Sequence, residues 1–85
     1  MNRLLGLLDG EVVRAPAPGW FRRTVAADHL VAPGDVIGEL EVLGRLVHVI
    51  APQVRGLVRL PAGPKLARQP VSYGDELFRV EAGEV

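Results

Sequence analysis

Cysteine is absent from this 85-residue chain, and methionine, tryptophan and tyrosine occur once each. The missing thiols exclude a disulfide framework, a cysteine nucleophile and a cysteine zinc site. An excess of one charge is missing too. Ten basic residues balance ten acidic ones, so nothing stands ready to neutralise phosphates, and nucleic acid is not an expected ligand. Long apolar runs are also lacking. The segment Leu4-Leu5-Gly6-Leu7-Leu8 is too short for the core of a signal peptide or for a bilayer span, which points to a cytoplasmic protein without a membrane contact. Finally, no window of about eleven residues keeps an apolar stripe at helical spacing without a Gly or Pro inside it.

What is present is a pattern of short strands. A chain of 9.2 kDa that is 48% hydrophobic, with ten Gly and seven Pro, predicts one small domain of many short elements joined by turns. Runs rich in Val, Leu and Ile span Glu11 to Ala15, Gly19 to Arg23, Val36 to Leu43, Arg45 to Ala51, Gly56 to Leu60 and Glu76 to Glu81. Shorter runs at Leu30-Val31 and Val71-Ser72 bring the expectation to an all-β domain of about eight strands.

The chain also repeats itself. Val13-Arg14-Ala15-Pro16, Gly19, Phe21-Arg22, Val31, Gly34-Asp35-Val36-Ile37 and Leu40-Glu41 recur in the same order as Val49-Ile50-Ala51-Pro52, Gly56, Val58-Arg59, Val71, Gly74-Asp75-Glu76-Leu77 and Val80-Glu81. Each half is a unit of about four strands that cannot cover its own apolar face, so the two must close on each other. A flattened, pseudo-twofold barrel or sandwich results. Both Gly-Asp pairs read as turn chemistry, with Gly at positive φ and Asp accepting from nearby amides.

The order Val13-Arg14-Ala15-Pro16 to Phe21, Gly34-Asp35 to Leu43, Ala51-Pro52, Gly56 to Val58 and Val71 to Leu77 resembles the biotinyl/lipoyl attachment domains. It is most similar to the biotin carboxyl carrier proteins of acetyl-CoA carboxylase. The resemblance covers residues 11 to 81 and implies a flattened eight-stranded barrel-sandwich hybrid of two quasi-twofold-related four-stranded halves. It also implies a biotin or lipoate carrier whose cofactor is joined by an amide bond to a lysine, set in Glu-Ala-Met-Lys-Met at the tip of the hairpin between the halves. Here that run is Glu41-Val42-Leu43-Gly44-Arg45, and Gly44 occupies the lysine position. Arg45 cannot replace a lysine amine, because a guanidinium stays protonated and is a poor acyl acceptor. The sole lysine, Lys65, lies in the Pro/Gly-rich loop Pro61 to Pro70. The protruding thumb of the carboxylase carriers has no counterpart either, since only Thr24 to Leu30 fill its place. Membrane-fusion adaptors also carry lysine-less halves of this kind, but their long helical insertion is incompatible with the short turn at Gly44.

Two registers are open for that turn. With Gly44-Arg45 as the loop, Glu41 pairs across from His48 and the alternation is clean. With Leu43-Gly44 as the loop, which the family pattern implies, Leu40 faces Val47 and Glu41 faces Leu46.

The remaining candidates for chemistry are weak. His29 and His48 have no third ligand at metal spacing, so no metal site is expected. Ser72 and Thr24 have no base partner. Trp20 and Phe21, adjacent in a strand, must point to opposite faces, one to the core and one partly to solvent. Arg22, Arg23, Arg55 and Arg59 fall on equivalent strands of the two halves, where they form either a basic strip or solvated strand faces. At the N-terminus, Asp9-Gly10 signals a two-residue hairpin, so Arg3 to Leu8 is an added strand pairing with Glu11 to Ala15, or else a short capped helix. Its four leucines suit a homodimer contact.

The expected organisation is an apolar extension over residues 1–10, the domain over 11–82 and a tail over 83–85. The expected function is a non-enzymatic, carrier-like domain without biotin or lipoate that acts on a protein partner, by analogy a biotin-dependent carboxylase or its biotin ligase. The alternatives are a carrier modified at Lys65 and a purely structural subunit of a larger assembly.

Overall fold

The computed structural model describes residues 2–61 and 67–82; Lys65 and the tail 83–85 lie outside them. The all-β expectation is met: the described residues form ten strands and no helix. These are β1 (Arg3–Leu5), β2 (Leu7–Asp9), β3 (Val12–Arg14), β4 (Gly19–Arg23), β5 (Leu30–Val31), β6 (Val36–Val42), β7 (Arg45–Ile50), β8 (Gly56–Arg59), β9 (Gln69–Val71) and β10 (Glu76–Glu81). They assemble into two five-stranded sheets, in the orders β1-β7-β6-β4-β9 and β2-β3-β10-β8-β5. The sheets do not close into a barrel, and the strand count exceeds the expected eight by the two strands of the N-terminal extension.

The halves seen in the sequence are not the sheets. The first sheet takes β4 and β6 from the first half and β7 and β9 from the second, and the second sheet does the converse. The exchange is locked by matching contacts. Gly34 N–H donates to the Ala51 carbonyl at 3.0 Å and Ala51 N–H to the Asp35 carbonyl at 2.8 Å. In the other half, Gly74 N–H donates to the Ala15 carbonyl at 2.9 Å and Ala15 N–H to the Asp75 carbonyl at 2.8 Å. The carboxylates do what turn chemistry requires: Asp35 Oδ2 accepts from Ala32 N–H at 2.9 Å, and Asp75 Oδ2 from Ser72 N–H at 2.7 Å. A β-bulge follows each turn, between Val36 and Gly38 and between Glu76 and Phe78.

Gly19 and Gly56 mark the tightest approach in each half. Their φ angles are 157° and 152°, outside the range of L side chains. A Cβ would stand 2.3 Å from the Glu41 carbonyl oxygen at Gly19 and 2.1 Å from that of Glu81 at Gly56. Between the sheets, alternating inward residues interdigitate, with Phe78, Ile37, Leu40, Val13, Val31, Val49, Val58 and Val80 fully buried. No charged or polar residue is buried among the described residues. Phe21 joins this core while Trp20 remains 51% exposed, as adjacent positions on a strand require.

The N-terminal extension departs from expectation. Instead of one strand beside β3, it breaks at Gly6: β1 runs parallel to β7 in the first sheet, and β2 runs antiparallel to β3 in the second. Gly6 sits at the crossing, where its N–H donates to the Ile50 carbonyl at 2.8 Å. The following turn is Gly10-Glu11, closed by Asp9 and Val12, and not the expected Asp9-Gly10. Gly10, at φ 62°, occupies the first central position of that loop, where a hairpin turn of the primed kind needs positive φ. Leu4 packs partly buried against the core, while Leu5 and Leu8 stay exposed.

Gly19→Ala and Gly56→Ala are each expected to cost about 3 kcal/mol or more, because the methyl meets backbone that cannot yield. Gly34→Ala, with nothing near its Cβ, is expected to cost only about 1 kcal/mol. Urea midpoints of the three variants check this ordering. Deleting residues 2–9 is expected to remove about 2 kcal/mol from half-buried Leu4 and Leu7 alone, read as a lower denaturation midpoint. Sedimentation equilibrium on the same pair of proteins tests the homodimer expectation, since a dimer joined by these leucines would become a monomer on deletion.

Candidate functional site at the β6–β7 hairpin

The longest strand of the fold, β6, meets β7 at a two-residue turn. Val42 pairs with Arg45, leaving Leu43 and Gly44 as the loop, with φ of 50° and 78°. Positive φ at both central residues is the signature of a type I′ hairpin turn, whose twist matches that of the flanking strands. This selects the second of the two registers: Leu40 lies opposite Val47, Glu41 opposite Leu46 and Glu39 opposite His48. The apparent mismatch of Glu41 and Leu46 is resolved by a residue distant in sequence. Arg68, just before β9, places its guanidinium 3.1 Å from Glu41 Oε1, while Leu46 is left in solvent. Pairwise alternation along one hairpin cannot foresee an ion pair supplied from the far side of β4.

Gly44 suits its position, whereas Leu43 is held there against preference. A leucine in the left-handed region costs about 1–2 kcal/mol, and its side chain is 99% exposed, so burial offsets none of that cost. Around the tip, Pro18, Gly19, Trp20, Glu41, Val42, Leu43 and Gly44 line an open cleft of about 510 Å³. Trp20 is brought there because β4 pairs with both β6 and β9, which sets Trp20 beside Glu41 on one side and Pro70 on the other. Pro18, Trp20 and Arg68 are members of this site that the motif comparison passed over. The pairing of β4 with both β6 and β9 brings Trp20 and Arg68 there.

The other candidates do not converge on it. His48 lies on the outer face of β7 opposite Glu39, whereas His29 precedes β5 in the other sheet, its N–H bonded to the Ala26 carbonyl. No group of three His, Cys, Asp or Glu residues able to hold a metal ion occurs among the described residues. The basic strip does not form. Arg22 and Arg59 lie on different sheets, Arg22 paired with Glu39, and Arg59 paired with Asp28 and Glu81. Arg23 instead donates to the Val25 carbonyl, and Arg55 is exposed. The segment Thr24 to His29 is tied down by Asp28 N–H to the Val58 carbonyl at 2.9 Å. No helix among the described residues is long and apolar enough to cross a membrane.

Chemically, the described residues of the tip offer an apolar knob, a half-exposed indole, two guanidinium groups and the Glu41 carboxylate. Neither a family model nor a curated protein matches the chain.

Leu43→Gly is expected to stabilise the protein by about 0.5–1 kcal/mol by removing the left-handed strain. Gly44→Lys is expected to cost about 1 kcal/mol, since its Cβ meets nothing within 4 Å and only the φ of 78° opposes it. Thermal melts of both variants against the parent check the two signs.

Proposed function

We propose that the chain is a biotinyl/lipoyl-like domain, similar to a biotin carboxyl carrier, that bears no cofactor and acts in the cytoplasm by contact with another protein rather than by catalysis. On this reading, strands β3 to β10 are the eight-stranded barrel-sandwich unit with its quasi-twofold repeat, and β1 and β2 are an addition to it. The matched Gly-Asp turns, bulges and close glycine approaches of the two halves support it. The single observation that carries the functional part is Gly44 at the tip of the β6–β7 hairpin, the position at which a carrier would need an acylable amine.

A biotin-dependent carboxylase subunit, or the ligase that modifies true carriers, is the partner class that a carrier-like surface fits, an argument from likeness of form. The exposed tip with its strained leucine supports a contact role, because backbone strain that burial does not offset is retained where it serves a site.

Coexpression with biotin ligase and lipoate ligase, followed by intact mass measurement, is expected to return the unmodified mass. A biotinyl or lipoyl adduct overturns the proposal, and mapping that adduct to Lys65 establishes the carrier alternative in its place. In the same experiment Gly44→Lys separates two kinds of divergence: its modification shows that the rest of the recognition surface persists, and a folded but unmodified variant shows that Leu43 and Arg45 have changed it.

A further inference from the structure

Most of the strand pairings in this fold join a strand that precedes the Leu43-Gly44 turn to one that follows it: β1–β7, β6–β7, β4–β9, β3–β10 and β5–β8. Among the described residues, β2–β3, β4–β6 and β8–β10 stay on one side of that turn. The hydrogen bonds of Gly34 and Asp35 with Ala51, and of Gly74 and Asp75 with Ala15, cross it as well. The chain therefore consists of two complementary parts, before and after the turn, each satisfied by the other. The covalent link between them is two residues long.

That link is strained and unsupported. Leu43 is held at a φ of 50°, which a leucine enters at a cost. Its side chain is exposed, and a Cβ added at Gly44 meets nothing within 4 Å, so the space around the turn is open. A short hinge under strain between parts that fit each other favours exchange of those parts between two chains.

We propose that the chain forms a domain-swapped dimer by opening the β6–β7 turn, so that the part before Leu43 in each copy packs on the part after Gly44 in the other. The register supports it. Leu40 faces Val47, Glu41 faces Leu46 and Val42 faces Arg45, so one further step along both strands sets Leu43 opposite Gly44 of a second copy. Then β6 and β7 become one strand from Val36 to Ile50, and the antiparallel ladder runs through the former turn about a twofold axis between two such pairs. Leu43 leaves the left-handed region and comes diagonal to Leu46 of the second copy, a residue exposed in the closed chain. Every native pairing is kept with its partner changed, so no new complementary surface is required, and a second copy is the one molecule that carries the missing part. The exchange also turns the tip into paired strand, which withdraws the contact site described above. That consequence rests on the interaction role proposed for the tip, whereas the exchange itself rests on topology, register and strain.

Because the chain has no cysteine, one introduced pair reports which chains are joined. Glu39 and His48 lie opposite each other in the hairpin, so Glu39→Cys with His48→Cys closes a disulfide within one chain in the monomer and between two chains in the swapped dimer. The full chain carrying this pair is refolded under reducing conditions at about 1 mM, the range of effective concentration that a short linker supplies. It is then oxidised and read by denaturing, non-reducing electrophoresis and by sedimentation equilibrium. A fraction at twice the chain mass is expected, rising with refolding concentration. In this background Gly44→Val, at a φ of 78° that a β-branched residue does not adopt, is expected to raise the association constant about tenfold or more. Insertion of two glycines between Leu43 and Gly44 relaxes the turn and is expected to reduce the doubled species to a trace. Bonds found only within single chains at about 1 mM would overturn the proposal, as would a doubled species indifferent to both loop changes. A dimer in sedimentation whose bonds are all within single chains assigns association to another surface, such as the N-terminal leucines, and overturns it too. An adduct in the mass measurement removes the cofactor-free reading and leaves these outcomes untouched, so the two failures are distinguishable.

Discussion

Each Ala-Pro segment of this protein is hydrogen-bonded to the Gly-Asp turn of the other half, and the rest of the fold depends on that reciprocity. Ala51 is held by Gly34 and Asp35, and Ala15 by Gly74 and Asp75. Because the donors and acceptors are exchanged, neither half can satisfy its own backbone alone. The exchange seats β7 beside β6 and β3 beside β10, carries β9 and β5 to the opposite edges, and brings the inward faces of both sheets over one core. Most contacts therefore join residues far apart in the chain, the condition under which folding is slow and cooperative.

The fold was legible where one residue type answers to one backbone need. Gly19 and Gly56 stand in the sequence at the two points where a carbonyl leaves no room for a Cβ, and Gly34 and Gly74 at the two turns of positive φ. The strand runs were legible from their apolar spacing and their punctuation. What was not legible depended on partners distant in sequence. The register of the β6–β7 hairpin follows from the positive φ adopted by Leu43 as well as Gly44, which a leucine does not announce, and the split of the N-terminal segment at Gly6 follows from the gap it must cross between two sheet edges. The site was half legible. Gly44 at the hairpin tip was read from the motif, whereas Trp20 and Arg68 joined it through the pairing of β4 with β6 and β9.

A repeated sequence also supplies an internal comparison. Since both sheets have the same strand layout, differences between equivalent outward positions are not demanded by the architecture. Inward positions agree in kind, Val13 with Val49 and Val31 with Val71. Outward positions diverge, Trp20 against Leu57 and Ile50 against Arg14. One buried pair diverges too: Gly38 stands where the other half has Phe78, and the Phe21 ring fills the space over Gly38 where the other half has the smaller Val58.

The edges of the two sheets set a limit on how copies of this chain can join. One margin of the first sheet is β9, where Pro70 lacks an amide proton, and one margin of the second is β5, only two residues long. Neither is a template for a further strand. The opposite margins are β1 and β2, both from the same N-terminal strap. Among the described residues the open strand edges therefore lie together on one flank, and edge-to-edge pairing between copies is confined to β1 and β2.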